Sequence, residues 1–546
     1  MKLTGLLFAA ALLGTCTQPA AEENYTRHVD PKIGTGGHGH VFVGANVPFG
    51  LVQVGPTSIP QTWDWCSGYH ASDSTVIGFS HTHLSGTGIG DLFDVTVMPV
   101  TGEVTYARGT EDDPTSGLWS YADRTQEIAR PGYYSVPLTR YGIRAELTAT
   151  ARVGLHRYTF PASDAAAVVF DLENGGCWDK ATETHLAKEG DRTVTGWRHS
   201  TGWAKDQRVY FAAEFSKPFE KFETIGDNYA RASFRTTDGE QVSLKVALSP
   251  VSVEGARENL AAELPGWDFE ETAKAADKAW NDELSKVKIE TEDETSKRIF
   301  YTALYHTMVA PSLFCDVNGD YYGSDHAIHR NADFTNYTTF SLWDTYRAAM
   351  PLMTVLHPEK MADIVQTMLT ISDEQGRLPV WHLWGNETDC MVGNPGIPVV
   401  ADAIVKGIGG FDREKAFEAI RKTAMNPDRG NGLRMEYGYI PCEMFNEAVA
   451  YDMEYALADG AAARRWARRR MRSISRSAAI ATATISTLRR ALCGAGIRKK
   501  AGGRPSMRSP RRTAPTTTAR ATPGSTPGWL RTMSRASKGC SAHVRR

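Results

Sequence analysis

The chain has 546 residues, 41% hydrophobic and 10% aromatic, which is typical of a globular protein with room for two or more cores. Its net charge of −2 conceals an asymmetry, because residues 460–546 hold 22 Lys or Arg and no Asp or Glu. Residues 1–459 therefore carry a net charge of −24, and an acidic body of this size argues against nucleic acid as a partner.

The first residues, MKLTGLLFAAALLGTC, combine one lysine, an apolar run over Leu6–Leu13 and small residues after it. This pattern predicts a signal peptide over residues 1–21, too short to span a bilayer. Leu-Leu-Gly-Thr before Cys16 is close to a bacterial lipoprotein cleavage box, and ordinary cleavage near Ala20 or Ala21 is the alternative. We expect an exported protein, either periplasmic, secreted, or an outer-membrane lipoprotein whose only membrane attachment is a lipid on Cys16.

The cysteines after the signal are widely spaced and odd in number up to residue 459: Cys66, Cys177, Cys315, Cys390 and Cys442. Neither a zinc site nor a complete disulfide framework can be read from this spacing. One or two disulfides are compatible with an oxidising compartment, and at least one thiol is expected to stay free.

The segment Trp63–Asp94 concentrates tryptophans, histidines and glycines. The glycines between Gly86 and Gly90 would let a ligand approach the main chain, and Trp63 and Trp65 offer flat faces on which a sugar ring can stack. The alternative is a β-hairpin with core aromatic residues and ordinary turn glycines.

From about residue 30 to residue 250 the chain alternates apolar and polar residues, as over Tyr133–Phe160, and predicts many β-strands arranged as a sandwich. Helical spacing begins at Ala256. Helices are predicted over Ala256–Leu264, Phe269–Lys286, Glu294–Val309, Leu342–Val355, Glu359–Ser372, Val399–Gly407 and Arg413–Ala424. Helix pairs separated by loops rich in aromatic and acidic residues suggest an α/α toroid.

Two loops of the helical part carry candidate binding residues. In SLWDTYR, Trp343 and Asp344 begin a helix, where Asp344 could equally be a helix cap and Arg347 its ion-pair partner. In LPVWHLWGNETDCMVG, Trp381, Trp384 and Glu387 lie outside any periodic pattern, which indicates a binding rim rather than core.

Two patterns could suggest metal binding. Asp316, Asn318, Asp320 and Asp325 alternate as in a calcium loop, but no bidentate Glu follows, and a solvated acidic turn is the preferred interpretation. The pairs His38/His40 and His81/His83 each point two rings to one face of a strand, yet no complete ligand set can be assembled from them.

Several of these segments together resemble glycoside hydrolase family 92, over about residues 24–459. They are His28–Thr57, GFSHTHLSGTG (Gly78–Gly88), SLWDTYR, and ETDCMVG followed by VVADAIVKGI. The resemblance implies an exo-acting, calcium-dependent α-mannosidase with an N-terminal β-sandwich, a helical linker and an (α/α)6 barrel. It places Trp63, Trp65, His81 and His83 on the sandwich's side of a mannose pocket, and Trp343, Asp344, Trp381 and Glu387 on the barrel's side.

The family's mechanism is single displacement with inversion, in which one carboxylic acid protonates the leaving oxygen and a carboxylate activates water on the opposite face. By the same resemblance, a calcium ion would grip the sugar's O2 and O3. The acid belongs to a motif like Glu-Gly-Asn-x-Trp-Gln-Tyr and the base to an acidic loop beyond it. Neither motif can be read in this sequence.

Residues 460–546 contain no Asp, Glu, Asn, Gln, Phe or Tyr. A natural basic tail is one interpretation. The other is a change of reading frame: if each codon of Arg520–Ala536 is read from the third base of the preceding one, the sequence EGNAWQYTWLAPHDVEG becomes possible. Such agreement favours a family barrel translated out of frame, with Arg520 at the position of the general acid and the base beyond the chain.

The resulting domain prediction is a sandwich over residues 24–255, a helical linker over 256–291, a partial barrel over 292–459 that is incomplete at its C-terminus, and a disordered basic tail over 460–546. The gene's in-frame product would hydrolyse terminal α-linked mannose of glycans, with an α-1,2 linkage preferred. The chain as written is expected to be inactive and to aggregate or be degraded. The alternatives are a non-catalytic carbohydrate-binding protein and a zinc hydrolase that uses the histidine pairs.

Overall fold

The computed structural model describes residues 23–113 and 115–466. The predicted signal peptide with Cys16, and the tail with Arg520, lie outside these residues. The chain divides into two compact units. Unit 1 holds the described residues up to Phe340, with Leu352–Gln375 and His382–Glu387. Unit 2 holds Ser341–Pro351, Gly376–Trp381 and the described residues from Thr388.

Unit 1 begins with a strand-rich region that follows a short 3-10 helix at Thr26–His28. Its strands are β1 (Gly55–Thr57), β2 (Thr75–Val76), β3 (Gly78–Ser80), β4 (Thr96–Thr101), β5 (Ser120–Tyr121), β6 (Ile128–Arg130), β7 (Tyr133–Leu138), β8 (Ile143–Ala149), β9 (Val153–Phe160), β10 (Ser163–Asp171), β11 (Lys180–Glu189), β12 (Thr193–Thr201), β13 (Gln207–Phe215), β14 (Lys221–Ile225), β15 (Tyr229–Thr236) and β16 (Glu240–Ser249). The alternating segment Tyr133–Phe160 thus forms β7, β8 and β9, as predicted.

These strands form two main sheets, with orders β1-β3-β4-β10-β15-β14 and β11-β12-β13-β16-β9-β8-β7-β6. Side chains from the two sheets meet in one core: the rings of Phe170 on β10 and Phe211 on β13 stack with centroids 6.0 Å apart, and Phe79 on β3 stacks with Tyr158 on β9 at 6.4 Å. Along β13, for example, alternation places Gln207, Val209, Phe211, Ala213 and Phe215 in the buried layer. The predicted sandwich is therefore present.

Two linker helices, α1 (Val253–Glu263) and α2 (Phe269–Leu284), follow the last long strand. Each is capped by a side chain, since Ser252 accepts from the amide of Gly255 and Asp268 accepts from that of Glu271. They pack on the eight-stranded sheet through a cluster that contains Val153, Leu155, Ala247, Leu264, Phe269 and Ala273. Burial of this apolar stripe fixes the linker on the sandwich.

The remaining elements are α3 (Glu294–His306), β17 (Ser312–Leu313), β18 (Tyr321–Tyr322), β19 (Ile328–His329), β20 (Tyr337–Thr338), β21 (Phe340–Ser341), α4 (Leu342–Thr345), α5 (Ala349–Leu356), α6 (Pro358–Gln375), β22 (Trp381–Leu383), β23 (Asn386–Glu387), α7 (Gly396–Lys406), α8 (Arg413–Met425), α9 (Asn431–Tyr437) and α10 (Ala448–Trp466).

The seven helices predicted from periodicity are all found, with one break. The predicted helix Leu342–Val355 is two helices, α4 and α5, separated by Tyr346–Ala348. Unit 2 has a core cluster at Ile440, Ala448 and Tyr455. Closure of the helices into a ring stays a prediction. Within residues 23–113 and 115–466, no helix combines the length and apolarity needed to cross a bilayer.

Candidate functional site

Unit 1 contains a cleft of about 270 Å³ in the strand-rich region. It is lined by Pro60, Gln61, Thr62, Trp63, Arg108, Cys177 and Trp178. Trp63 and Trp178 stay 45% and 41% exposed, which is unusual for the largest apolar side chain. Exposed indole faces beside a guanidinium and an amide suit a ligand with an apolar face and a hydroxyl-bearing edge. A sugar ring has this character.

Trp63 is held in place by its neighbours. It begins a 3-10 helix, Trp63–Trp65, and its indole N–H donates to the carbonyl of Gly88 at 2.8 Å. The His40 ring packs edge-on against the indole, with centroids 4.2 Å apart. A Cβ at Gly88 would lie 2.5 Å from the indole ring. The missing side chain at Gly88 therefore leaves room for the Trp63 indole. The expectation was that it would leave room for a ligand against the main chain.

Trp65 lies outside the lining of this cleft. Its indole N–H donates to Asp73 Oδ2 at 2.7 Å, and its ring stacks on His70 at 4.4 Å. The side chain is half-buried, so its polar edge and one face are already occupied. The segment Trp63–Asp94 is also not a hairpin. It contains the 3-10 helix Trp63–Trp65 and the strands β2 and β3, and the rest is turns and extended chain.

His81 and His83 lie in the sandwich interior rather than on a pocket surface. The carbonyl of Val95 accepts from His81 Nδ1 at 2.6 Å, so the other ring nitrogen of the neutral imidazole is an acceptor, 2.9 Å from His156 Nε2. Burial lowers the pKa of His81 to about 4 and that of His83 to about 3. His83 Nδ1 donates to the carbonyl of Gln53 at 2.8 Å. Both rings are thus neutral core residues at pH 7, because desolvation opposes their protonation.

A buried ion cluster supports the loop that carries Trp178. The guanidinium of Arg198, fully buried, donates to Asp94 Oδ1 at 2.7 Å, to Asp179 Oδ1, and to the carbonyl of Leu172 at 2.8 Å. Asp94 also accepts from Thr82 Oγ1 at 2.7 Å. The cluster therefore joins the end of the segment Trp63–Asp94 to the residue that follows Trp178.

Asp91 lies beside this cluster and behaves as an acid that keeps its proton. Burial, reinforced by the charge of Asp179, raises the pKa of Asp91 to about 8. Its Oδ2 accepts from the amide of Ala204 at 2.9 Å. The chain around the cleft is thus fixed by buried polar contacts and not by apolar packing alone.

The other predicted loop in unit 1 is more deeply buried than a binding rim. Trp384 is 2% exposed and its ring lies edge-on to Phe314 at 5.1 Å. His382, also buried, bonds to Ser324 Oγ at 3.0 Å. Glu387 is half-buried and accepts from the amide of Gln375 at 3.5 Å. Aromatic residues without periodicity were expected at the surface, but a short hairpin of β22 and β23 turns them inward.

In unit 2, Asp344 is exposed on α4, and one of its carboxylate oxygens accepts from Ser341 Oγ at 2.6 Å. Arg347 does not pair with it. The guanidinium instead donates to Glu454 at 2.7 Å and lies 4.9 Å from the Trp343 ring centroid. Trp343 is half-buried, and its indole N–H has no partner among the described residues. Trp381, at 2% exposure, is a buried residue.

The candidate calcium loop is a structural turn. Asp316 is buried, and its two oxygens accept from Ser249 Oγ at 2.7 Å and from Asn259 Nδ2 at 2.8 Å. Burial raises the pKa of Asp316 to about 6. Asp320 pairs with Arg330. The turn therefore contacts both β16 and α1. Asp316 and Asp320 are buried, whereas Asn318 and Asp325 are exposed, so the expectation of a solvated turn holds for only part of it.

One described group, Asp325, His329 and Glu374, brings three ligand atoms within 4.8 Å of one another. The Glu374 oxygens already accept from Tyr321 Oη at 3.0 Å and the amide of Ser324 at 2.7 Å. Calcium needs six to eight oxygen ligands, so this group does not fit the calcium ion that the resemblance implies.

Five of the seven residues that line the cleft were not singled out from the sequence, among them Gln61, Arg108 and Trp178. Trp178 follows Gly-Gly-Cys in a loop between β10 and β11, and an aromatic residue in such a loop was a usable signal. No sequence pattern pairs it with Trp63, because their proximity depends on the fold.

Comparison with known proteins identifies two domains. Residues 28–249 match the glycosyl hydrolase family 92 N-terminal domain, and residues 255–476 match the glycosyl hydrolase family 92 catalytic domain. The second match continues past Asp459, where the resemblance was expected to stop. Among curated proteins, an uncharacterized secreted glycosidase of Arthroderma benhamiae is 26% identical over 474 residues, which are 78% of this chain and 56% of the relative.

Solved structures that resemble this chain include members of the same family. A family GH92 α-mannosidase of Bacteroides thetaiotaomicron in complex with mannoimidazole is 39% identical, with a TM-score of 0.78, over 81% of this chain and 61% of that one. A family GH92 inverting mannosidase of the same organism is 27% identical, with a TM-score of 0.74, over 86% and 65%. The chain thus spans less than two thirds of the length of these relatives.

Proposed function

Because the chain belongs to glycosyl hydrolase family 92, we propose that its in-frame gene product is an exported exo-α-mannosidase. It hydrolyses terminal α-linked mannose, with a preference for α-1,2 linkages, by single displacement with inversion. The main support for this proposal is the cleft at Trp63. It occurs in a chain that is 39% identical to an α-mannosidase whose structure was solved with mannoimidazole. The substrates are mannose-containing glycans outside the cell or in the periplasm, in line with a relative described as a secreted glycosidase.

The exposed residues of the cleft are the proposed sugar contacts in unit 1. Trp63 stacks on the apolar face of a pyranose ring, while Arg108 and Gln61 donate hydrogen bonds to its hydroxyl groups. In unit 2, the exposed carboxylate of Asp344 is proposed to accept hydrogen bonds from sugar hydroxyls. Four other predicted site residues are half-buried or buried: Trp65, Trp343, Trp381 and Glu387. We propose that they help to position the residues that contact the sugar. His81 and His83 are assigned to the core.

The chain as given is proposed to bind mannose without hydrolysing it. The codon comparison places Arg520 at the general acid position, and a guanidinium keeps its proton at all ordinary pH values, so it cannot serve as the acid. The second candidate function, a carbohydrate-binding protein without turnover, is supported by the same cleft. A calcium requirement is proposed from family resemblance, and no step is derived through the ion because the described acidic groups do not fit it.

The test compares the given chain with a version in which the reading frame after codon 459 is shifted. Both are incubated with α-1,2-mannobiose and calcium, and free mannose and its anomeric form are followed by NMR. We expect release with inversion from the frame-shifted version alone. Mannose release by the given chain would overturn its proposed inactivity, and no release by either chain would overturn the mannosidase assignment.

Binding is tested separately by titrating the given chain with mannose and following tryptophan fluorescence. Trp63→Ala should weaken binding by roughly fivefold or more, if sugar stacking on one aromatic ring contributes about 1–3 kcal/mol as base stacking does. Trp197→Ala is the matched control, because this half-buried tryptophan of β12 stacks on His185 and does not line the cleft. Equal affinities of the two variants would refute the role of Trp63.

A further inference from the structure

Three side chains that can bind a metal converge at one end of the hairpin formed by β18 and β19. Asp325 lies in the turn, His329 ends β19, and Glu374 lies in the last turn of α6. His329 Nε2 lies 3.1 and 3.2 Å from the two oxygens of Asp325 and 3.4 Å from Glu374 Oε1. Two ligands bound to zinc at about 2.0–2.1 Å with a tetrahedral angle lie roughly 3.3–3.4 Å apart. The three groups thus already have the spacing of ligands around one small cation.

The cluster carries more negative charge than its histidine can neutralise. The Glu374 side chain is 6% exposed, and among the described residues His329 is the one basic side chain within ion-pair distance of it. The same imidazole is also the ion-pair partner of Asp325. Even a protonated His329 therefore leaves one negative charge uncompensated. Glu374 also lies at the C-terminal end of a helix, where the helix dipole disfavours a carboxylate. A bound divalent cation would offset both effects.

Neighbouring groups hold two of the ligands in place. Tyr321 Oη donates to Glu374 Oε1 at 3.0 Å, and the amide of Ser324 donates to Glu374 Oε2 at 2.7 Å. The Tyr321 ring stacks on the His329 ring, with centroids 4.9 Å apart and an interplanar angle of 8°. Each carboxylate oxygen has a second lone pair, so these hydrogen bonds leave one free for a metal. Outer contacts of this kind orient the ligands in metal sites.

Gly323 leaves room for the ligand atoms to approach one another. A Cβ at this position would lie 2.6 Å from Asp325 Oδ1 and 2.7 Å from His329 Nε2. The backbone of Gly323 is not in the left-handed region, so the close approach of these atoms, and not the backbone angle, calls for glycine here. The side chains of Asp325 and His329 are 36% and 34% exposed, so an ion and a water molecule can enter from solvent.

We propose that Asp325, His329 and Glu374 bind a zinc ion, with water as the fourth ligand. One imidazole nitrogen and two carboxylates suit a four-coordinate zinc ion, whereas calcium takes six to eight oxygen ligands. The ion would join the hairpin of β18 and β19 to the C-terminal end of α6, which are both in unit 1. This histidine belongs to neither of the His-x-His pairs of the sequence, and the proposal does not depend on the proposed hydrolase function.

The test measures zinc binding to the full chain by isothermal titration calorimetry at pH 7.5, after treatment with a chelator. Asp325→Asn and His329→Gln should each weaken binding by roughly tenfold or more, since each removes one of three protein ligands. His326→Gln is the matched control, because His326 lies in the same turn and bonds instead to Tyr322 Oη at 2.9 Å. Zinc bound elsewhere, for example by cysteines, would be unaffected in all three variants.

Two results of the titration would overturn the proposal. One is equal zinc affinity in the wild-type chain and Asp325→Asn, including the absence of binding in both. The other is displacement of zinc by an equal concentration of calcium, which would mean that the site prefers oxygen ligands alone. Tyr321→Phe adds a finer test, because it keeps the ring that stacks on His329 and removes the hydroxyl that donates to Glu374. It should weaken zinc binding by roughly tenfold.

Thermal unfolding provides a second readout, because an ion that binds only the folded chain stabilises it. Zinc at about 100 times its dissociation constant should raise the midpoint of the wild-type chain and of His326→Gln by roughly 5 °C. Asp325→Asn should show little or no rise under the same conditions. This substitution keeps the volume of an exposed side chain, so it should not prevent folding. A rise equal to that of the wild-type chain would place the ion elsewhere and refute the assignment.

Discussion

Removal of the buried cation at Arg198 provides the sharpest test of how the cleft is supported. Arg198→Met keeps most of the length and apolar volume of the side chain but removes all its donors. Asp94 and Asp179 then lose their common cation, and the carbonyl of Leu172 loses a hydrogen bond. All three charged groups are fully buried or nearly so, so water cannot replace the guanidinium at little cost.

The expected loss of stability is about 3–4 kcal/mol. Removal of one partner from a buried ion pair typically costs about 3–5 kcal/mol, because the other charge is left uncompensated. The lower half of this range applies here, since Asp94 keeps hydrogen bonds from Thr82 and Gln207, and Asp179 keeps one from Ser200. These donors stabilise the carboxylates that remain after the substitution.

The free energy of unfolding would be measured by urea denaturation at pH 7, followed by tryptophan fluorescence. Arg235→Met is the matched control, because Arg235 pairs with Glu220 on the exposed surface and should change the midpoint by no more than the experimental error. Adding Asp94→Asn to Arg198→Met should recover part of the loss, since one uncompensated charge is removed. A loss below about 1 kcal/mol in Arg198→Met would refute this account of the cluster.

Three further substitutions test single contacts. The pKa of His81 is lowered to about 4, so this histidine takes up its proton in the unfolded chain at a higher pH than in the folded chain. The free energy of unfolding should therefore fall by about 3 kcal/mol between pH 6.5 and pH 4, and His81→Gln should reduce this dependence on pH. Asp91, with its pKa raised to about 8, loses its proton in the unfolded chain first, so stability falls as pH rises from about 4 to 8. Asp91→Asn should remove this fall in denaturation measured at several pH values. Gly88→Ala should displace Trp63 and weaken mannose binding in fluorescence titration while thermal stability changes little, and unchanged affinity would contradict the packing described.

Local sequence patterns located part of the secondary structure of the described chain. Period-2 alternation located β7, β8 and β9, and helical spacing located the helices from α1 to α8 to within a few residues, because these periods follow directly from backbone geometry. The helices α9 and α10 and the short strands β17 to β23 were not predicted. The break between α4 and α5 was missed although the sequence carries a signal for it, since Pro351 has no N–H to donate to the carbonyl of Arg347.

Side-chain exposure was the weak point of the sequence interpretation. Trp381 and Trp384 were expected at a binding rim and are buried, and His81 and His83 were expected at a pocket and are core residues. A histidine or tryptophan can satisfy its polar atoms within the protein as readily as with a ligand, so residue type alone does not distinguish the two. Whether such a residue is in the core depends on its hydrogen-bond partner, and this partner can be distant in the sequence, as His156 is from His81.

By itself the sequence therefore determined the family, the order of a β-rich domain and a helical domain, and Trp63 as a candidate sugar platform, because motifs and periodicity are local properties of a chain. Only the tertiary structure decided that Trp178 and Arg108 share a cleft with Trp63 and that Arg198 joins Asp94 to Asp179. Each of these contacts joins residues that lie far apart along the chain, and such proximity arises from the folding of the two sheets.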